Sequence, residues 1–383
     1  MEQNFLGRRS GDTINNYGYN IVMDAYARTS TDAGKVEEIF RHMKRIAEEN
    51  RLPSVMPDII SYTTLMRAWV KEAKPGYAAK VEQLLDEIEA NAQKGMRPDI
   101  VTYGVVLNAL SRCGDRDAGT RGEAILHRMR KQGVEPNRIC YNSIMDTYAT
   151  QGDTAKAKAV LDWMEREASS GNVAAKPSAR DYSICVSAYA AEGGDEQHFQ
   201  DAFRLFRIVA ERYKEGDMFF KTGGSIVTSL LVVLAKSNVG GKGAIAKDIW
   251  QMAQEIDIVL DLRNYNALIR VCSTETVGPK EKLEALELAV TSFQVMRQGQ
   301  IDIDKSTFIY LMCCCNNLID DKDERTAAIE EFLRNCCEAG MVTEDVLSHF
   351  HQFVPESHLL SDVFLEEGGI DLDSIPPEWT RAV

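Results

Sequence analysis

The sequence lacks any apolar run long enough to cross a bilayer, and it contains only six histidines. Its longest apolar stretch, residues 226–235, falls well short of the roughly 20 residues that a membrane-spanning helix needs, so it predicts a buried helix. The first residues, MEQNFLGRRSGD, have neither the apolar core of a secretion signal nor the Arg- and Ser-rich stretch of an organellar transit peptide. We therefore expect either a protein that stays where it is made or a trimmed or partial product.

Motifs of catalysis are also missing. No P-loop, H-E-x-x-H, G-x-S-x-G or G-x-G-x-x-G motif occurs in a fitting context, and Gly240–Gly243 predicts a turn between two helices because no strand precedes it. The histidine-rich stretch at His349 and His351, near His358 and Asp362, disfavours a metal site, because residues two apart point to different sides of a helix. The sequence predicts a protein that is not an enzyme and holds no cofactor or metal.

Nine cysteines without a secretion signal favour a reducing compartment, in which thiols pack as small apolar groups. Neither cluster, at residues 313–315 and 336–337, has the C-x-x-C spacing of a structural zinc site. Core packing is therefore the better interpretation of both clusters.

The net charge of −14 is unexpected for a protein that would neutralise phosphates. From Asp320 to the C-terminus there are 16 acidic and 4 basic residues, a balance of −12, so the other 319 residues carry about −2. Asp371 and Asp373 in this stretch are interpreted as part of a solvated acidic tail, which is a candidate contact for a protein partner. The rest of the chain is close to neutral and is compatible with a locally basic surface.

A motif that begins with an aromatic residue recurs along the chain in steps of 43, 41, 38, 41, 45, 38 and 43 residues. It reads YNIVMDAY in its first copy and YNSIMDTY in its fourth. The first positions of the eight copies are Tyr19, Tyr62, Tyr103, Tyr141, Tyr182, Val227 (a degenerate copy), Tyr265 and Phe308. A recurring period of this size is the signature of a helical-repeat array.

Each copy has the apolar spacing of a helix followed by a second helix. Tyr62, Leu65 and Trp69 fall on one helical face, and Gly152-Asp153 is typical of the turn before the second helix. Several copies close with a proline and a polar residue, which separate the second helix from the next first helix. These closing pairs are Pro57-Asp58, Pro98-Asp99, Pro136-Asn137 and Pro177-Ser178.

The aromatic-polar-x-aliphatic-aliphatic start, the Gly-Asp turn and the Pro-Asp end resemble the pentatricopeptide repeat. The likeness covers residues 16–344, between an N-terminal stub of residues 1–15 and an acidic C-terminal helix and tail at 345–383. The copies are longer than the family's usual unit, with the surplus late in the second helix or after it, as at residues 45–55. The W-x-x-L-G-x-x-Y pattern of the tetratricopeptide repeat is missing.

The resemblance implies an all-α, right-handed superhelical solenoid of about eight helix-turn-helix repeats, whose first helices line the concave face. It further implies a monomer that binds single-stranded RNA in a mitochondrion or plastid, as an adaptor in RNA processing, stability or translation. The alternative is a helical-repeat scaffold that binds a protein in the same groove, which the acidic balance and the degenerate copies favour.

In this family each repeat addresses one base through the residue after the first-helix aromatic and the residue that ends the repeat. A terminal Asp only accepts hydrogen bonds and suits the ring N–H of uracil or guanine, whereas Asn or Ser can donate to cytosine or adenine. The pairs carried over are Asn20 with Asp58 for uracil, Thr63 with Asp99 for guanine, Gly104 with Asn137 tolerating adenine, Asn142 with Ser178 for cytosine, Thr228 with Asp261 for guanine, and Asn266 with Asp304 for uracil. Ser183 with Gly223 and Ile309 with Glu344 are not readable, so the expected RNA is 5′-UG(A)CNGU-3′ and the last copy is a cap.

Each of these assignments has a structural alternative. Basic residues stand nine positions after the aromatic, where they would either contact phosphate or complement a helix dipole. They are Arg28, Lys71, Arg112 and Lys236. The Asn and Asp side chains of the pairs are equally typical of helix caps. The aromatics themselves are expected to pack between repeats rather than to stack on bases.

Overall fold

The computed structural model of the chain describes residues 15–29, 32–74, 76–91, 96–357, 359 and 375–380. The regular elements in these ranges are all helical, which confirms the predicted all-α class. The chain divides into two compact units, which are Met1–Gln151 with Ala155–Pro177 and Gly152–Thr154 with Ser178–Val383. The predicted N-terminal stub lies outside the described residues except for residue 15.

Unit 1 consists of successive helix pairs. Its helices are α1 (Asn16–Thr29), α2 (Ala33–Glu49), α3 (Ile59–Glu72), α4 (Tyr77–Ala90), α5 (Ile100–Cys113), α6 (Ala118–Lys131), α7 (Arg138–Gln151) and nearly all of α8 (Thr154–Ser169). Repeat 1 is α1 with α2, repeat 2 is α3 with α4, and so on along the chain. First helices pack in series, α1 on α3, α3 on α5 and α5 on α7, and each second helix from α2 to α6 packs on the next first helix.

Unit 2 continues the same alternation. Its helices are α9 (Ala179–Glu192), α10 (Glu196–Lys214), α11 (Ser225–Lys236), α12 (Lys242–Glu255), α13 (Leu262–Ser273), α14 (Pro279–Gln298), α15 (Lys305–Leu318), α16 (Lys322–Glu338) and α17 (Glu344–Phe353). The first helices again pack in series from α9 through α11 and α13 to α15, and α17 packs on α15. Among the described ranges, none of the helices is long and apolar enough to span a membrane.

The recurring aromatic residue is buried in the core of most repeats. Tyr103 and Tyr141 have no exposed surface, and Tyr62 packs edge-on against Phe40 of the preceding repeat with ring centroids 4.9 Å apart. The phenol groups find polar partners at the surface, since the Tyr62 hydroxyl donates to Glu87 at 2.6 Å. This arrangement confirms that these aromatics pack between helices rather than face a ligand.

The start of each first helix is set by a capping residue. The carboxylates of Asp58 and Asp99 accept hydrogen bonds from the backbone N–H of the third helical residue, at 3.0 and 2.8 Å. The preceding proline cannot extend the second helix of the previous repeat, so the chain must turn there. Asp261 and Asp304 cap α13 and α15 in the same manner.

The glycine-rich run predicted as a turn joins α11 to α12. Gly241 adopts the left-handed conformation at φ 68°, and Lys242 opens α12 with its ammonium group turned inward, donating to Ala235 O at 3.1 Å. Gly243 lies so close to Ala285 of α14 that an added Cβ would stand 2.9 Å from the Ala285 Cα. The glycine therefore allows the backbones of two second helices to approach each other.

Candidate nucleic-acid interface

In two repeats the structure joins the predicted base-selecting pair directly. The Asn20 amide donates to Asp58 Oδ1 at 3.0 Å in unit 1, and the Asn266 amide donates to Asp304 Oδ1 at 3.0 Å in unit 2. In each case the Asp ends one repeat while the Asn lies on the first helix of that same repeat. In both units, one hydrogen bond thus joins two residues that are 38 positions apart in the sequence.

A third residue, which the sequence analysis missed, fixes the orientation of both pairs. It is the third residue of the next first helix: the Ser61 hydroxyl donates to Asn20 Oδ1 at 2.6 Å, and the Thr307 hydroxyl donates to Asn266 Oδ1 at 2.7 Å. Ser61 and Thr307 are fully buried. Because the amide oxygen accepts from a hydroxyl, the amide nitrogen must face the carboxylate.

The two Thr–Asp pairs are joined through the same third helical position. In repeat 2 the residue that joins Thr63 to Asp99 is Thr102. Its hydroxyl donates to Asp99 Oδ1 at 2.8 Å and lies 3.3 Å from the Thr63 hydroxyl. In repeat 6 the position is Asn264, whose amide nitrogen donates to the Thr228 hydroxyl at 2.7 Å. The chemistry of this linking residue therefore differs between two pairs that are identical in sequence.

The pair of Gly104 and Asn137 is not joined in this way. Asn137 accepts from the backbone N–H of Cys140 at 3.2 Å as a helix cap, while a Cβ added to Gly104 would meet open space. Asn142 belongs to unit 1 and Ser178 to unit 2, where the Ser178 hydroxyl donates to Asp181 at 2.8 Å.

Two repeat ends also depart from the expected register. The cap of α11 is Gly224, one residue after the expected Gly223 that was paired with Ser183. The cap of α17 is Thr343, so Glu344, which was paired with Ile309, lies inside the helix as its first residue. Both departures fall in pairs that the sequence left unreadable.

The capping carboxylates keep one oxygen for a further hydrogen bond. At Asp99, Asp261 and Asp304, the hydrogen bonds from the described residues all end on Oδ1. Asp58 differs, because its Oδ2 accepts from the Asn16 amide at 2.9 Å. At three repeat ends, therefore, Oδ2 remains an acceptor while Oδ1 holds the helix cap.

A row of exposed apolar side chains, also missed by the sequence analysis, lies beside the predicted base-selecting residues of unit 1. It occupies the second position of each first helix: Tyr17, Ile60, Val101 and Ile139, with exposed fractions of 69, 58, 54 and 65%. Each stands three residues before a selecting residue, so the two side chains share a helical face. In unit 2 the corresponding position is polar in α9 and α13, where exposed Arg180 and Arg263 occupy it.

The predicted phosphate-binding residues are largely engaged by the protein itself. Lys71 donates to the carbonyl of Arg28 at 2.7 Å, Arg112 to Val70 O at 3.3 Å, and Lys236 to Ala190 O at 2.6 Å. Each of these carbonyls lies at the C-terminal end of the preceding first helix. These three basic residues therefore complement the dipole of the preceding first helix, and their contact with phosphate stays a prediction.

A basic residue that the sequence analysis passed over lies between these groups. Arg67 on α3 is exposed and lines a shallow depression together with Arg28, Lys71 and Arg112. Arg28 forms an ion pair with Asp24 at 2.7 Å, whereas the Arg67 guanidinium has no hydrogen-bond or ion-pair partner among the described residues. Arg67 is thus an available cation on the first-helix face of unit 1.

The cysteine clusters lie in the core of unit 2. Burial raises the pKa of the Cys315 and Cys336 thiols to about 12. Within the described ranges, no group of three or more His, Cys, Asp or Glu side chains is placed to hold a metal ion. His358, Asp362, Asp371 and Asp373 lie outside those ranges.

The alternating helix pairs define a helical-repeat protein, and comparisons with known proteins show which family it is similar to. Residues 83–151 match the family model described as "Pentatricopeptide repeat domain". Over these residues the chain is similar to the pentatricopeptide repeat family, and the sequence period of eight copies extends beyond them on both sides.

Curated pentatricopeptide repeat-containing proteins also match parts of the chain. One pentatricopeptide repeat-containing protein of Arabidopsis thaliana is 28% identical over 158 residues, which are 41% of this chain and 25% of the relative. Another from the same plant, named as chloroplastic, is 33% identical over 118 residues, or 30% of this chain and 14% of the relative. A third relative, named as mitochondrial, also matches. The alignments span no more than about a third of the length of each of these three relatives.

Among solved structures, the crystal structure of the maize pentatricopeptide repeat protein PPR10 aligns with 94% of this chain and 50% of that chain, at 17% identity and a TM-score of 0.49. A structure of PPR10 in complex with an 18-nt psaJ RNA element aligns with 90% of this chain and 53% of that chain, at 17% identity and a TM-score of 0.46.

Proposed function

We propose that the protein binds single-stranded RNA and that individual repeats select individual bases. The observation that carries this proposal is the linkage of selecting residue, third helical residue and repeat-ending Asp in four repeats. In these four repeats the linkage holds polar groups in fixed directions near the start of the first helix. Fixed donors and acceptors at regular intervals suit a ligand with one base per repeat.

In the repeats that end in Asp, the carboxylate supplies the acceptor for the base. An Asp whose Oδ1 caps a helix presents Oδ2 to a ring N–H, which uracil and guanine carry and cytosine and adenine lack. In unit 1 the exposed side chains of Ile60, Val101 and Ile139 provide apolar surface for the base faces. Arg67 contributes a cation for the backbone, and the other basic residues contribute charge while holding helix ends.

The biological setting of the proposal is a mitochondrion or plastid, since curated relatives carry both locations in their names. There the protein would act as a monomeric adaptor that protects, exposes or marks a transcript, with any chemistry left to a protein partner. The acidic C-terminal segment is the surface we propose for such a partner.

The test is a titration of the full chain against 5′-UGACUGU-3′ and a scrambled oligomer, each within an unstructured RNA, at two salt concentrations. We expect tighter binding to the first RNA, and binding to both should weaken with salt because phosphate contacts release counterions. Absence of binding to either RNA at low salt would contradict the proposal and favour the protein-binding scaffold.

Arg67 and Lys71 provide a matched pair of substitutions. We expect Arg67→Gln to lower the slope of log affinity against log salt by about 1 while leaving the melting temperature unchanged, because its guanidinium is uncommitted. Lys71→Gln should lower the melting temperature slightly, because it removes the donor to two α1 carbonyls. A lower melting temperature for Arg67→Gln, with an unchanged salt slope, would contradict this assignment.

A further inference from the structure

The two repeats with a Thr–Asp pair differ in whether the threonine hydroxyl donates its proton to another group of the protein. In repeat 2 the Thr63 hydroxyl donates to the carbonyl of Ile59 at 2.6 Å, and the Thr102 hydroxyl donates to Asp99 at 2.8 Å. A hydroxyl has one proton, so Thr63 offers only lone pairs to a ligand. The Thr63–Asp99 pair therefore presents two acceptors.

In repeat 6 the equivalent threonine, Thr228, accepts a hydrogen bond from Asn264. Asn264 Oδ1 accepts the backbone N–H of Asp261 at 2.9 Å, which fixes the amide so that its nitrogen faces Thr228. That nitrogen donates to the Thr228 hydroxyl at 2.7 Å and to the carbonyl of Gly224 at 2.6 Å. The carbonyl four residues before Thr228 is thus occupied by Asn264, whereas Thr63 donates to the equivalent carbonyl itself.

The consequence is that the Thr228 proton has no acceptor among the described residues. The Thr228 hydroxyl receives one hydrogen bond and retains its proton for a ligand, while Asp261 Oδ2 remains an acceptor. The Thr228–Asp261 pair therefore presents one donor and one acceptor, although its sequence is the same as that of Thr63–Asp99.

We infer that Asn264 is a positioning residue that changes how repeat 6 recognises guanine, an inference that rests on the proposed RNA-binding function. Two neighbouring acceptors match the N1–H and the exocyclic 2-amino group of guanine. A donor beside an acceptor matches O6 and N1–H, and makes no use of the 2-amino group. Repeat 2 reads the 2-amino side of guanine, and repeat 6 reads the O6 side.

Inosine separates the two modes, because it keeps O6 and N1–H and lacks only the 2-amino group. We expect inosine in place of the guanine at repeat 2 to weaken binding about tenfold, because a bound acceptor loses its partner. Inosine at repeat 6 should change the affinity by less than about twofold. The measurement is a titration of the full chain with 5′-UGACUGU-3′ and its two single-inosine forms.

The exchange of the linking residues tests the role of Asn264 itself. We expect Asn264→Thr to make repeat 6 sensitive to inosine, because the introduced hydroxyl would donate to Asp261 and leave the Gly224 carbonyl free to accept from Thr228. Thr102→Asn should make repeat 2 insensitive. Each variant carries a residue that the other repeat already uses there, and melting curves confirm that both fold.

The results distinguish a failure of this inference from a failure of the proposed RNA binding. Equal inosine effects at the two repeats, or effects that do not follow the exchanged residue, would overturn the inference while leaving RNA binding intact. A wild-type chain that binds none of these RNAs would overturn the proposed function and this inference with it.

Discussion

Replacing Ile60, Val101 and Ile139 together by alanine is expected to weaken RNA binding more than a hundredfold. Each side chain is more than half exposed and stands beside a predicted selecting residue, so under the proposed RNA binding its loss would remove apolar contact with a base and leave the core intact. Each substitution removes two or three carbon atoms that a base would partly cover. The loss of binding free energy is about 1 kcal/mol per site, or about 3 kcal/mol for the three sites together. A fluorescence titration of wild type and variant with the same RNA measures the effect.

The control for this triple variant is Val173→Ala. Val173 is also an exposed apolar residue of unit 1, with 78% of its surface accessible, but it lies in the connection after α8 rather than on a first helix. We expect it to leave the RNA affinity unchanged. Unchanged melting temperatures would show that all variants fold, and an unchanged affinity of the triple variant would contradict a role for this row.

Replacing Gly243 by alanine is expected to destabilise unit 2 by about 1–3 kcal/mol. The added Cβ would lie 2.9 Å from the Ala285 Cα and 3.1 Å from its backbone nitrogen. Backbone atoms of α14 cannot rotate away as the end of a side chain can, so the two second helices must separate. Chemical denaturation followed by circular dichroism measures the loss.

Gly104→Ala is the matched control, since Gly104 is also a helical glycine. A Cβ at Gly104 would have no atom within 4 Å, so the variant should gain about 0.5–1 kcal/mol from the lower entropy of the unfolded chain. Equal destabilisation by the two substitutions would show that the close approach of α12 and α14 does not control the stability of unit 2.

The sequence period predicted the helix pairs because it records burial. Tyr62, Leu65 and Trp69 repeat at helical spacing since one face of α3 packs against its neighbours, and all three are buried. The capping role of Asp58 followed in the same way from the preceding proline. These features are local to the chain, so a single sequence is enough to find them.

The linking residues escaped prediction because their role depends on a contact between repeats. Thr102 and Asn264 look like ordinary polar residues near a helix start, and only the packing of one first helix on the previous one brings them to Thr63 and Thr228. The partner of Lys71 escaped for the same reason, since its spacing does not show that it reaches carbonyls of α1 rather than those of its own helix.

The exposed apolar row was missed for a different reason. Ile60 and Val101 match the apolar character of the buried positions around them, and composition gives no sign that they face solvent. Both side chains are exposed, although most of the apolar residues around them on the same helices are buried. Burial, rather than residue type, separates them from the core.

The most direct test of the account is a selection from randomised single-stranded RNA with the full chain, followed by sequencing of the bound pool. We expect enrichment of 5′-UG(A)CNGU-3′, with the uracils at repeats 1 and 7 and the guanine at repeat 2 among the strongest positions. Asp99→Asn should then change the preferred base at the second position alone. A bound pool without this motif, or a motif that Asp99→Asn leaves unchanged, would contradict base selection by these residue pairs.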